Sequence, residues 1–244
     1  MNSTRLPGKV LLELKGKPVI HHIIQRVSAS RHIGTIAVAT TISPLDDPLV
    51  EYLKSNEQVD IFRGSENDVL ARYYLCAKQS PCDLIVRVTA DDPLKDAIVI
   101  DEAIARMLRD PGLDYCSNTL KPTYPEGLDV EVFKFSALEK AYEDAKLPSE
   151  REHVTPYIWK NPAAFKLANF EYQEDLSAWR WTLDKPADME FITAIYDQFY
   201  RGDSRFSFRD VIDFLKRNPA LLDINSGTKR NEGYFRSLER ETNQ

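Results

Sequence analysis

Apolar positions along the chain fall into two alternating patterns. Some segments show the three-to-four-residue spacing of a helix with one buried face, and between them lie short runs rich in β-branched residues that read as buried strands. Segment 18–30 opens on a proline suited to a first helical turn and carries Val19, Ile20, Ile23, Ile24 and Val27 as one stripe. A buried strand over 35–40 follows, then a helix over 46–55, a strand over 59–62 and a helix over 67–79 with Asn67 as its cap. The strongest buried-strand run is 83–89, DLIVRVT, and a helix over 97–110 comes after it. A strand near Tyr115, an alternating strand over 129–135, a helix over 136–146 and a helical segment over 149–160 come next. Strands over 165–170 and 179–183 precede helices over 187–200 and 208–218. Alternation of this kind predicts an α/β fold with helices packed on a mainly parallel sheet.

Composition narrows the class. The 244 residues carry 32 Lys+Arg against 38 Asp+Glu, a net charge of −6 without long basic blocks, which argues against duplex nucleic acid and anionic membranes as partners. No apolar run reaches the length of a membrane span and the opening MNSTRLPGK lacks the apolar core of a secretory signal, so a cytoplasmic location is expected. Cys76, Cys82 and Cys116 fit neither a zinc site nor a disulfide framework and are expected to be buried reduced thiols. There is no internal repeat or long linker, which predicts one domain over 1–244 with a lobe at about 120–175.

Three clusters carry candidate chemistry. Ser3, Thr4, Arg5 and Lys9 surround a Pro7-Gly8 pair able to fix a turn with exposed N–H groups, an inventory suited to a triphosphate; the alternative is a solvated N-terminal arm. Asp91 and Asp92 directly follow the 83–89 run, where parallel sheets bind ligands, and a strand-end carboxylate beside a nucleotide loop suits magnesium; one of the two is otherwise a cap for the helix after Pro93. Asp184 repeats the arrangement ahead of Pro186, with the same capping alternative, and two such carboxylates can converge on one metal. His21 and His22 diverge on a helix and are assigned packing or surface roles, while His153 lies in a dense polar cluster, Glu150 to Tyr157, that a salt-bridged surface turn also explains. No G-x-S-x-G, H-E-x-x-H, Walker A or G-x-G-x-x-G pattern is present.

The blocks S-T-R-L-P-G-K-V-L, G-K-P, F-R-G-S-E-N-D-V-L-A-R-Y, V-R-V-T-A-D-D-P-L, S-N-T-L-x-P-T-Y-P-E-G-L-D-V-E-V-F, S-E-R-E-H-V-T-P-Y-I and R-N-E-G-Y, in this order over 3–240, resemble the cytidylyltransferase family typified by spore-coat polysaccharide biosynthesis protein F, related to acylneuraminate and 3-deoxy-manno-octulosonate cytidylyltransferases. The resemblance implies a nucleotide-diphospho-sugar-transferase-like three-layer fold with a mostly parallel mixed sheet. It also implies attack of a sugar hydroxyl on the α-phosphate of CTP, giving a CMP-sugar for polysaccharide or surface-glycan synthesis and pyrophosphate. By residue, it implies that Arg5 and Lys9 grip the triphosphate with Ser3 and Thr4 in the loop, that Asp91 and Asp184 hold Mg²⁺, and that Ser65, Asp68 and Arg72 help place the nucleoside. Asp129 and Glu131, with Glu152 and His153, would face the acceptor sugar or a partner in a homodimer. The family pattern places an apolar strand and an Ala-Arg pair ahead of the loop, whereas Met1 stands inside this motif and Asn2 holds a place usually taken by Gly. An upstream start or a truncated product is therefore expected, with neighbouring strands left short of hydrogen-bond partners. A glycosyltransferase on the same general fold, which would want an Asp-x-Asp metal motif, and a non-catalytic remnant are the competing readings.

Overall fold

The computed structural model describes residues 5–80, 82–204 and 206–242. A short hairpin, β1 (Glu13–Leu14) and β2 (Lys17–Pro18), leads into α1 (Val19–Ser28), then β3 (Ala37–Thr41), α2 (Asp47–Asn56), β4 (Asp60–Gly64), α3 (Val69–Gln79), β5 (Leu84–Arg87) and α4 (Ala97–Arg109). The order continues with β6 (Tyr115–Ser117), β7 (Glu131–Lys134), α5 (Phe135–Asp144), α6 (Pro148–His153), α7 (Pro156–Lys160), β8 (Leu167–Asn169), α8 (Pro186–Phe199), α9 (Phe208–Arg217) and α10 (Glu232–Thr242).

The main sheet runs β5-β7-β6-β8, with β7 antiparallel to both neighbours and β6 parallel to β8. β5, β6 and β8 thus share one direction and β7 alone is reversed, so the sheet is mixed: both ladders of β7 are antiparallel and the β6-β8 ladder is parallel. Alternation sorts the two faces: Val132, Cys116, Val86 and Ala168 point into the larger core under α1, α4, α8 and α9, while Phe133, Tyr115, Ile85 and Leu167 point into a second core under α3, α5, α6 and α7. The 120–175 segment supplies β7 and β8 as well as α5, α6 and α7 over the second core, to which α3 is added from outside it.

β3 and β4 form a separate parallel pair with Ala37 opposite Asp60 and Thr41 opposite Gly64. Among the described residues β3 pairs with β4 alone and β5 with β7 alone. Neither expected buried strand is fully buried: β5 is half-buried throughout and β3 is exposed at Ala37. Helix α1 spans the division, with Ile20 and Ile24 on the β3-β4 side and Val19, Ile23 and Val27 in the larger core.

Other expectations are corrected locally. The α3 cap is Asp68, whose carboxylate accepts from Ala71 N, not Asn67. Segment 149–160 breaks into α6 and α7 because Pro156 has no N–H and Val154 takes a left-handed φ of 75°. Segment 179–183 makes a single bridge, Glu126 to Arg180, because loops rather than strands flank it. The three cysteines are free thiols, yet only Cys116 is buried; Cys76 is half-buried and Cys82 exposed. α10 lies beyond the last helix expected from the pattern.

Candidate active site

Gly8 takes φ 66°, a conformation glycine adopts without the Cβ penalty, and starts the single helical turn Lys9–Leu11. The turn brings Lys9 beside the loop after β5. There Leu183 N donates to Asp91 O at 2.7 Å, tying segment 179–184 to the end of the β5 segment and placing Asp184 next to Asp91. Lys9 Nζ lies 2.7 Å from both Asp91 Oδ2 and Asp184 Oδ1, and Arg5 lies 3.1 Å from Asp184 and 2.5 Å from Glu232. Burial would lower the Lys9 pKa, but the two carboxylates hold it above the ordinary lysine value. Burial would likewise raise both aspartates, and the Lys9 ammonium instead holds each below the ordinary carboxylate value.

Asp184 is fixed from behind. The buried Arg180 reaches Asp184 at 2.9 Å, Asp188 at 3.0 Å and Glu126 at 2.8 Å. Asp188 accepts the N–H groups of Asp184 and Lys185 at 2.8 Å each, so Asp188 caps α8 and Asp184 does not. Glu126 meets Arg180 because Gly127, at φ 106°, lets its chain lie on Trp181; a Cβ there would stand 2.7 Å from the Trp181 carbonyl carbon. Neither Asp91 nor Asp92 caps a helix: Asp96 caps α4 through Ile98 N. Asp92 instead pairs with the fully buried Lys95 at 2.8 Å, and Lys95 also donates to Asp129 O at 2.6 Å. Burial, opposed by Lys95, pushes the Asp92 carboxyl up to about 6.

A second polar group adjoins the first through Asp129. Its carboxylate pairs with Arg230, which also donates to Tyr124 O at 2.9 Å, and burial raises the Asp129 pKa despite that arginine. Two residues on, Glu131 accepts from Arg87 at 2.5 Å, Tyr115 Oη at 2.7 Å and Thr155 Oγ1 at 2.5 Å. Arg87 and Arg230 each keep a buried Nε–H without a partner. The γ-turn at Val154, closed by Thr155 N to His153 O at 2.9 Å, delivers that threonine to Glu131 at a cost in backbone strain. His153 Nε2 contacts Ser237 Oγ at 3.0 Å, and Ser237 donates to Glu152 at 2.7 Å. Burial lowers the His153 pKa.

The structure therefore brings Arg5, Lys9, Asp91 and Asp184 together, with Asp129 and Glu131 alongside. Ser3 and Thr4 lie outside the described residues. Ser65, Asp68 and Arg72 form their own knot at the end of β4: Ser65 Oγ accepts from Asp68 N, Arg72 donates to Ser65 O, and Asp68 pairs with Arg151. Their bonds do not reach the Lys9 cluster, although Tyr73 of the same helix donates to Val88 O at 3.4 Å beside it. Reading by residue type missed Arg180, Asp188, Glu126, Lys95, Arg230 and Glu232. Arg180 and Asp188 flank Asp184 in R-W-T-L-D-K-P-A-D, Lys95 follows D-D-P-L, Glu126 lies in T-Y-P-E-G, and Arg230 and Glu232 lie in R-N-E-G-Y, stretches whose local sequence gives these residues no individual role.

Acids and cations gathered in the loops at one end of a mixed sheet, with helices packed on the sheet, fit a nucleotidyltransferase-like enzyme. The chain belongs to the cytidylyltransferase family, whose family model matches residues 1–212. It is 38% identical over 239 residues to the uncharacterized protein MJ1063 of Methanocaldococcus jannaschii, covering 97% of this chain and 95% of that one. It is 30% identical over 231 residues to the spore coat polysaccharide biosynthesis protein SpsF of Bacillus subtilis, covering 90% and 92%. The solved structure of a cytidylyltransferase from Leptospira borgpetersenii superposes with a TM-score of 0.87 at 34% identity, over 94% of this chain and 95% of that one.

Proposed function

We propose that this enzyme transfers the cytidylyl group of CTP to a hydroxyl of a sugar or sugar acid. The observation that supports this most directly is the Lys9 ammonium held 2.7 Å from both Asp91 and Asp184: two carboxylates converge on a point already able to hold a cation, beside a cation-rich loop. Among the described residues no cluster of three or more His, Cys, Asp or Glu side chains is placed to hold a metal unaided. A two-carboxylate set suits Mg²⁺, which takes its other ligands from phosphates and water. When bound there, the metal supplies neutralisation of the phosphate charge and a lowered pKa for the attacking hydroxyl.

The chain's own groups supply the rest. The acceptor oxygen bonds to the α-phosphorus, the bond from that phosphorus to the bridging oxygen breaks, pyrophosphate carries away the electron pair, and the hydroxyl proton passes to water. Lys9 and Arg5, exchanging carboxylates for phosphate oxygens, stabilise the leaving pyrophosphate, so the rate comes from positioning and fixed charge. Arg180 and Asp188 hold Asp184 in place. Asp129, Glu131, Glu152 and His153 form the acceptor side, and the Ser65, Asp68 and Arg72 knot flanks the nucleoside.

Pyrophosphate release with CTP, Mg²⁺ and a panel of sugar acids and sugar phosphates tests the reading. We expect Asp91→Ala and Asp184→Ala each to cut turnover at least about a hundredfold, the loss typical of removing one preorganised electrostatic group. Near-parent rates in either variant would remove that residue from the reaction, and release of a nucleoside diphosphate from a sugar nucleotide would replace transfer from CTP with glycosyl transfer.

A further inference from the structure

The C-terminal segment reaches back over the site through three successive residues. Arg230 pairs with Asp129, Asn231 N donates to Glu126 at 2.9 Å, and Glu232 lies 2.5 Å from Arg5. Arg5 is one of the two cations assigned above to the triphosphate, and its guanidinium is shared between Asp184 and Glu232. The side chains of Arg5 and Glu232 are 27% and 26% exposed, so their contact lies at the mouth of the site, open to competition from solvent. A phosphate oxygen gripped by Arg5 occupies the same donors as the Glu232 carboxylate and repels it. Glu232 has other cations to turn to, since Arg236 on the same helix face is 2.7 Å away and Lys185 is 3.7 Å away.

We propose that Glu232 is a built-in anion that competes with the triphosphate for Arg5, so that nucleotide binding displaces it and loosens segment 226–242 from the site. The inference rests on the nucleotide reading given above. Its consequence is coupling between the nucleotide and acceptor sides of the site: the residue that yields to the triphosphate is two positions from Arg230, which pairs with Asp129 on the acceptor side. Nucleotide entry at Arg5 therefore frees the neighbouring arginine, which already has a buried Nε–H without a partner, to meet the acceptor.

The test compares the full-length parent with Glu232→Gln, measuring CTP affinity in Mg²⁺ by calorimetry and amide exchange across 226–242. The variant is expected to bind CTP roughly two- to fivefold more tightly, the scale of one half-exposed ion pair. In the parent, CTP with Mg²⁺ should speed exchange across 226–242; in the variant, exchange there should be fast from the outset and change little. Unchanged exchange in α1 and β7 shows that the variant keeps its fold. Equal affinities, or slower exchange over 226–242 with nucleotide in both proteins, overturns the latch while leaving the nucleotide reading intact. No CTP binding by either protein overturns both.

Discussion

At His22 the fold builds in a dependence on pH. The ring is fully buried, donates from Nε2 to Leu14 O at 2.7 Å, accepts at Nδ1 from Ser204 Oγ at 2.8 Å, and meets Tyr196 and Tyr200 edge-on at 4.8 and 5.4 Å. That environment satisfies a neutral imidazole, and burial lowers its pKa from 6.5 to about 4. An unfolded chain takes up the proton near pH 6.5 while the folded one refuses it until about pH 4, so this stability is full above 6.5 and is lost as pH falls through the window between the two. A gap of that size is worth about 3 kcal/mol once both states are protonated. Denaturant titrations from pH 7 to 4 should show the parent losing stability more steeply than His22→Gln, which starts lower and changes less; parallel curves would show that this histidine does not drive the loss. The sequence supported this packing role for His22, and it supported the Lys9, Asp91 and Asp184 set because each stands at a recognisable turn or segment end. It did not reveal Arg180 with Glu126 or His153 with Ser237, pairs 54 and 84 residues apart that meet only through the tertiary fold.

Elements with strong local periodicity were legible, and those defined by their neighbours were not. The α1 stripe of Val19, Ile20, Ile23, Ile24 and Val27 is buried as its spacing requires, because a helix makes its own hydrogen bonds and needs from outside only an apolar surface. Segment 179–183 has equally apolar residues in Trp181 and Leu183, both buried, yet its amides bond to Glu126 and Asp91 in loops. Whether an apolar run becomes a ladder depends on what lies beside it. The same logic separates the strands by stability. β6 and β7 are paired on both sides, whereas β3 and β5 have one partner each among the described residues, leaving alternate amides outside any ladder. We expect Cys116 and Val132 to exchange their amide hydrogens only through global unfolding, and β3 to exchange through local opening at rates orders of magnitude faster. Protection of Ala37 to Thr41 equal to that of β7 would mean that β3 has a second partner in solution.

For the molecule as a whole, the acidic total and the local cation cluster make different statements about anions. A net charge of −6 repels a free nucleotide at long range, so under the proposed function binding would have to come from short contacts at Arg5 and Lys9, both paired with carboxylates of Asp91, Asp184 and Glu232. On that reading a triphosphate alone would have to displace those carboxylates from Lys9 and Arg5, whereas Mg²⁺ on Asp91 and Asp184 would release the two cations to phosphate. Nucleotide binding should therefore depend on the divalent ion much more than a site built from arginines and lysines alone would. Melting curves with CTP, UTP, ATP and GTP, each with and without Mg²⁺, read this directly, because a ligand at a hundred times its Kd adds about 2.7 kcal/mol, a rise of about 5–10 °C for a chain of this size. The expected outcome is a rise of that order with CTP and Mg²⁺ together and little with either alone. An equal rise with CTP in the absence of a divalent ion would show that Lys9 and Arg5 leave their carboxylates without help, and the metal assignment to Asp91 and Asp184 would fall. An equal rise with all four nucleotides would leave the phosphate site standing and remove the preference for cytosine.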